Sequence, residues 1–137
     1  MTGSPLTKHH EQWLRSLHRK KHRGEERCFI AEGFNSLDAA LQSRLYPLRE
    51  IIVDHEHADA AVKTAPAGVA LYTCPRKTFS RISTEEAPQG VLAVCGLRTF
   101  ATAEIEPGAS GTILYLDRLS DPGNLGTILR TAAWFGV

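Results

Sequence analysis

Thr112-Ile113-Leu114-Tyr115-Leu116-Asp117-Arg118-Leu119-Ser120-Asp121-Pro122-Gly123-Asn124-Leu125-Gly126-Thr127-Ile128-Leu129-Arg130-Thr131-Ala132-Ala133-Trp134-Phe135-Gly136-Val137 reads as a strand, a loop and a helix. Thr112 to Asp117 is an apolar run ending in an acid. Arg118 to Gly123 carries the turn formers. Ile128, Leu129, Ala132, Ala133 and Phe135 then recur at helical spacing, and Gly136 suits the residue that ends a helix. A single strand–helix unit cannot bury its own apolar face. The stretch is therefore expected to open a domain of which this chain holds only the start.

Upstream, strands and helices alternate. A helix is expected from Lys8 to about Lys21, capped by Thr7, with Trp13, Leu14 and Leu17 as its apolar stripe and Gly24 stopping it. Arg27 to Ala31 reads as a buried strand closed by a turn at Glu32-Gly33. Asn35 or Ser36 is placed to cap a helix through Leu37, Ala40 and Leu41. Strands are expected at Glu50–Val53, Val69–Tyr72 and Val91–Cys95, with helices at Ala58–Thr64 and Lys77–Ile82 between them. Alternation of this kind implies an α/β sandwich around a largely buried sheet. From about Leu97 to Ser110 the pattern lapses, and Thr99, Thr102, Pro107, Gly108, Ser110 and Gly111 suit a linker. The expected organisation is a first domain over residues 1–97, a linker over 98–111 and the start of a second domain over 112–137.

Composition narrows the function. Of the 137 residues, 42% are hydrophobic and 23% charged, the balance of a folded domain rather than a disordered chain. No apolar run approaches the ~20 residues that span a bilayer. Met1 to Leu6 lacks the apolar core of a secretion signal, so no membrane partner is expected and a cytoplasmic location is. Cys28, Cys74 and Cys95 are an odd set without C-x-x-C spacing, and each lies in an apolar run. They are read as buried, reduced thiols rather than metal ligands or a disulfide framework. His18 and His22 lie one helical turn apart, but no acid or third ligand accompanies them and cationic neighbours oppose a metal. No metal is expected.

The formal charge of +1 hides an asymmetry. Lys8 to Arg27 holds seven Lys/Arg against three Glu, together with His9, His10, His18 and His22. A basic end of this kind suits a polyanionic partner. Lys20, Lys21 and Arg23 are the candidate phosphate contacts, and Arg76, Lys77 and Arg81 form a second small cluster. Each set reads equally as a solvated helix face. Trp13 and Trp134 are expected in cores rather than as stacking platforms. Gln89 can set a turn or hydrogen-bond RNA.

The stretch Asp121 to Gly136 closely resembles the first signature motif of the SpoU-type RNA methyltransferases of the SPOUT superfamily, approximately D-P-x-N-x-G-x-I-x-R-T-A-x-x-F-G, and matches it at every fixed position. Lys20-Lys21-His22-Arg23, Phe29-Ile30-Ala31-Glu32-Gly33 and Ala87-Pro88-Gln89-Gly90-Val91-Leu92-Ala93-Val94 resemble segments of that family's substrate-binding domain. The resemblance implies an N-terminal ribosomal-protein-like α/β sandwich followed by the first unit of a trefoil-knot methyltransferase domain. It implies a ribosomal or transfer RNA ribose 2′-O-methyltransferase using S-adenosylmethionine, with a homodimer for the whole protein. It makes Arg130 and Asn124 the catalytic candidates. Arg130 would hold phosphate and stabilise charge, since a guanidinium is a poor base; apart from the motif, Arg130 is simply an exposed helix residue and Asn124 a cap. The later strands and motifs that hold the methyl donor are not in this sequence, so no cofactor-binding residue is expected here. A stand-alone RNA-binding module is the alternative. A dinucleotide-binding unit is disfavoured, because Gly123-Asn124-Leu125-Gly126 lacks the G-x-G-x-x-G spacing.

Overall fold

The computed structural model describes residues 3–104 and 111–137. The chain divides into two compact units, Met1–Arg98 and Thr99–Val137. Residues 105–110, which include Pro107, Gly108 and Ser110 of the expected linker, lie outside the described residues. Just before them, Thr102–Glu104 forms one 3₁₀ turn.

The first unit contains, in chain order, β1 (Ser4–Pro5), α1 (Lys8–Ser16), α2 (Lys20–Glu26), β2 (Cys28–Glu32), α3 (Phe34–Gln42), β3 (Leu48–Asp54), α4 (Ala58–Thr64), β4 (Ala70–Cys74), α5 (Arg76–Ile82) and β5 (Val91–Gly96). The strands form one sheet in the order β1-β4-β3-β5-β2. β1, β4 and β3 run parallel, while β5 pairs antiparallel with both β3 and β2. The alternating pattern thus folds as the expected α/β sandwich, with a mixed sheet.

Side-chain alternation along the strands feeds two cores. Ile52, Leu92 and Val94 point to one face and meet Leu14 and Leu17 beside α1 and Phe79 and Ile82 of α5. Ile51, Val53, Val91 and Ala93 point to the other face and meet Leu37 and Ala40 of α3 and Ala61 of α4. Covered on both sides, β5 is buried throughout, as a central strand must be when it reads as one continuous apolar run. Cys28, Cys74 and Cys95 lie in these cores as free thiols. Burial pushes the Cys74 thiol up to about 11 and raises the other two as well.

Several local expectations are corrected. The helix from Lys8 to Lys21 is two helices, because the chain turns at Leu17–Arg19. The Arg23 guanidinium donates to the carbonyls of Leu17 (3.0 Å) and His18 (2.7 Å), satisfying groups that a continuing helix would have used. Gly24 lies inside α2, and Arg27, in the left-handed region at φ 50°, ends it. Neither Asn35 nor Ser36 caps α3. The cap is Gly33 at φ 88°, and the Gln89 side-chain oxygen accepts from the Phe34 N–H at 3.0 Å. β1 was not foreseen. It is a two-residue edge strand, where a proline is tolerated.

In the second unit, Thr112 to Asp117 is not a strand. A strand exists by pairing, and no described strand of this unit offers a ladder. The helix α6 (Pro122–Trp134) forms as its sequence demands. Its cap is Asp121, not Asn124: the Asp121 carboxylate accepts from the Asn124 N–H at 2.7 Å, and Pro122 opens the first turn. Gly136, at φ 72°, closes it, with Val137 N–H on Ala132 O and Gly136 N–H on Ala133 O. Trp134 is 87% exposed rather than core. No residue of α6 is buried; Ile128 and Ala132 are only partly covered.

Candidate functional site

Arg130 is exposed on α6, and its side chain runs back toward the helix start. Nη2 approaches Thr127 Oγ1 at 3.4 Å, and Nη1 lies 3.3 Å from where a Cβ on Gly126 would sit. Gly126 thus leaves room for the guanidinium along the helix surface. Helical side chains lean toward the N-terminus, so the guanidinium lies over the turn that holds Gly126 and Thr127. Asn124 occupies the first helical turn with its side chain exposed. Arg118, at φ 52°, takes the unusual left-handed conformation in the loop just before.

Alongside α6, a groove of about 380 Å³ is lined by Thr112, Leu114, Thr127, Ile128, Thr131, Ala132, Phe135 and Val137. Its side chains are apolar apart from the threonines. Such walls do not fit S-adenosylmethionine, whose carboxylate, ammonium and adenine edge need matched donors and acceptors. This groove offers no such set of donors and acceptors.

The basic candidates separate by what they already hold. Lys20 and Lys21 are exposed on α2, and Lys21 lies 3.8 Å from Glu25. Arg23 is engaged with the carbonyls that end α1. Arg81 pairs with Glu11 through two hydrogen bonds of 2.9 and 3.0 Å, tying α5 to α1. Lys77 is exposed on α5. His18 Nε2 donates to the Ile82 carbonyl (2.8 Å), and His22 faces Glu25 (3.2 Å), so the two rings do not converge. Among the described residues, no three His, Cys, Asp or Glu side chains are grouped to hold a metal.

Arg76 belongs to a cluster that the sequence did not single out. Asp54, at the end of β3, is 0% exposed. Its Oδ2 accepts from Arg76 Nη1 at 2.6 Å and its Oδ1 from His57 Nδ1 at 2.6 Å. The His57 backbone N–H adds a bond of 3.2 Å, and Arg76 Nη2 also reaches the Pro88 carbonyl. Burial alone would raise the Asp54 pKa, but the hydrogen bonds from His57 and Arg76 outweigh it and hold the carboxyl below its ordinary value. A Cβ on Gly90 would lie 2.5 Å from both Asp54 Oδ2 and His57 Nδ1, and Gly90 has φ 82°. The signals for this cluster were the D-x-x-H spacing at the end of an apolar strand and the glycine of Pro88-Gln89-Gly90.

Comparison with known proteins places these features in a family. Residues 12–93 match the MRM3-like substrate binding domain. Over 123 residues, 90% of the chain is 30% identical to 46% of the 23S rRNA (guanosine(2553)-2′-O)-methyltransferase RlmP of Bacillus subtilis (strain 168). The crystal structure of an rRNA methyltransferase from Sinorhizobium meliloti superposes with a TM-score of 0.77 at 33% identity, covering 96% of this chain and 50% of that one. An AdoMet-bound structure of an rRNA methyltransferase from the same organism gives 0.73 at 34% identity, with the same coverage. The chain spans about half the length of the relatives it matches. The chain belongs to the MRM3-like substrate binding domain family, carried by RNA methyltransferases of the SpoU/TrmH type.

Proposed function

We propose that this chain serves an S-adenosylmethionine-dependent RNA ribose 2′-O-methyltransferase, contributing the domain that grasps the RNA and the first helix of the catalytic domain. The substrate is ribosomal or transfer RNA, the location cytoplasmic, and the whole enzyme a homodimer. No described helix is long and apolar enough to cross a membrane. The observation that carries the reading is Arg130, exposed on a helix whose capped turn and glycine leave its guanidinium open to an anion. A guanidinium fork matches a phosphodiester in two parallel hydrogen bonds. Arg130 is therefore assigned to holding the phosphate next to the target ribose and stabilising charge there, and Asn124 to shaping the loop beside it. S-adenosylmethionine supplies an electrophilic methyl group, held by polypeptide outside this chain. Lys20, Lys21, Arg23, Arg76 and Lys77 are assigned to phosphate contacts that fix the RNA's register. Of these, Lys20, Lys21 and Lys77 are the freest to move toward RNA.

The second reading, a stand-alone RNA-binding module, is favoured by the first unit, whose sheet has its own core on both faces. One experiment separates the two. The full-length protein is incubated with isotopically labelled S-adenosylmethionine and ribosomal or transfer RNA, and the RNA is hydrolysed in alkali. Label in alkali-resistant dinucleotides, the mark of a 2′-O-methyl group, supports the enzyme. RNA binding without any label supports the module.

A further inference from the structure

We propose that the crevice at the carboxyl ends of β3 and β4 receives one unstacked nucleotide of the RNA. The proposal rests on the reading that this domain binds RNA, and adds where an unpaired base goes. It grows from the topology. α4, which follows β3, packs on one face of the sheet through Ala61, whereas α5, which follows the adjacent parallel strand β4, packs on the other through Phe79 and Ile82. Where successive connections leave for opposite faces, a crevice opens at the strand ends, and open α/β sheets bind ligands there.

This crevice is built with matched chemistry. Asp54, wholly buried, sits at its floor and holds two cationic or polar side chains in place. An ionised carboxylate only accepts, so His57 donates from Nδ1 and directs Nε2 away from Asp54. Two of the five Arg76 N–H groups are engaged, and 44% of its side chain remains exposed. On the other side, between α3 and α4, a cavity of about 320 Å³ is walled by Phe34, Leu37, Leu41, Val53 and Val91, with His57 and the exposed Asp38 carboxylate also in its lining. Phe34 is 42% exposed, and its ring lies 5.4 Å from the His57 ring at 59°. An aromatic wall beside a fixed guanidinium is what an unpaired nucleotide requires: a surface for the base and a clamp for its phosphate. A continuous duplex cannot enter, because its bases are stacked and shielded. Asp54 acts as a positioning residue, and Phe34, His57 and Arg76 make the contacts.

The test titrates the 137-residue chain with a short unstructured oligouridylate and with an RNA duplex of equal phosphate count, by fluorescence anisotropy. Phe34→Ala leaves Asp54 and the fold in place, which circular dichroism checks. It is expected to weaken oligouridylate binding about tenfold, the size of one lost stacking contact, with duplex affinity unchanged, whereas Arg76→Lys, which alters a phosphate contact, is expected to weaken both probes. If Phe34→Ala binds both probes as the wild type does, or weakens both equally, the crevice is not the site, although the domain still binds RNA. If the wild-type chain binds neither probe, the RNA-binding reading falls and the crevice with it.

Discussion

Replacing Asp54 with Asn removes a charge at the most enclosed polar point of the first unit while preserving shape. The carboxylate accepts two charge-assisted hydrogen bonds of 2.6 Å, from Arg76 and His57, and one from the His57 backbone. Each bond to a charged group contributes about 1.5–3 kcal/mol, and stripping one partner from a fully buried pair costs about 3–5 kcal/mol. Arg76 and His57 both reach solvent, so each can recover hydration, and the Asn carbonyl still accepts one bond. The expected loss is therefore about 2–3 kcal/mol, below the fully buried figure. With a urea slope of about 1.5 kcal/mol/M, the midpoint drops by about 1.3–2 M. The assay is urea unfolding followed by tryptophan fluorescence. Trp13, packed against the core, reports on this unit, whereas Trp134 is largely solvated already. Asp38→Asn, on the exposed face of α3, is the control and leaves the midpoint unchanged. An Asp54→Asn midpoint equal to the wild type would mean that the cluster does not tie β3 to α5 and the 88–90 loop.

The same cluster predicts acid sensitivity. The Asp54 carboxyl is held below its unfolded value, so its contribution is fully present above about pH 4 and is lost as pH falls through the lower folded value. Stability measured over that acidic window should fall less steeply in Asp54→Asn than in the wild type; parallel profiles would contradict the assignment. The double substitution Lys20→Ala and Lys21→Ala should weaken RNA binding similarly across sequences and reduce the log–log salt slope by about one per lysine. A salt slope equal to the wild type's would remove α2 from the interface.

The central strands β3 and β5 were legible because burial on both faces leaves continuous apolar runs, at Ile51–Val53 and Val91–Cys95. Ala58–Thr64 was legible as a helix, and its Ala61 packs against the sheet. The break between α1 and α2 was not, because every residue from Lys8 to Lys21 tolerates a helix. Just past α1, Arg23 folds back onto the carbonyls of Leu17 and His18, a contact that helical periodicity does not encode. The α3 cap was missed in the same way: it comes from Gln89, 55 positions away. Thr112–Asp117 has the composition of a strand, but pairing is a property of neighbours.

The candidate site divides along the same line. Arg130 and its capped helix could be read directly, since a helix start and a glycine spacing are local features. Asp54 and His57 left only a D-x-x-H trace, and their meeting with Arg76 left none, because that contact forms only once the sheet has formed. Arg76 looked like a free cation in the sequence and is in fact partly committed to Asp54.

Arg130 carries the central claim, and it touches little besides Thr127 and Gly126, so Arg130→Ala should fold normally. The decisive measurement is the single-turnover rate of ribose methylation by the full-length Arg130→Ala protein, with RNA and methyl donor both saturating. Loss of one preorganised charge-stabilising group predicts a fall of about 100-fold or more, with RNA affinity little changed. A rate equal to the wild type would contradict the account.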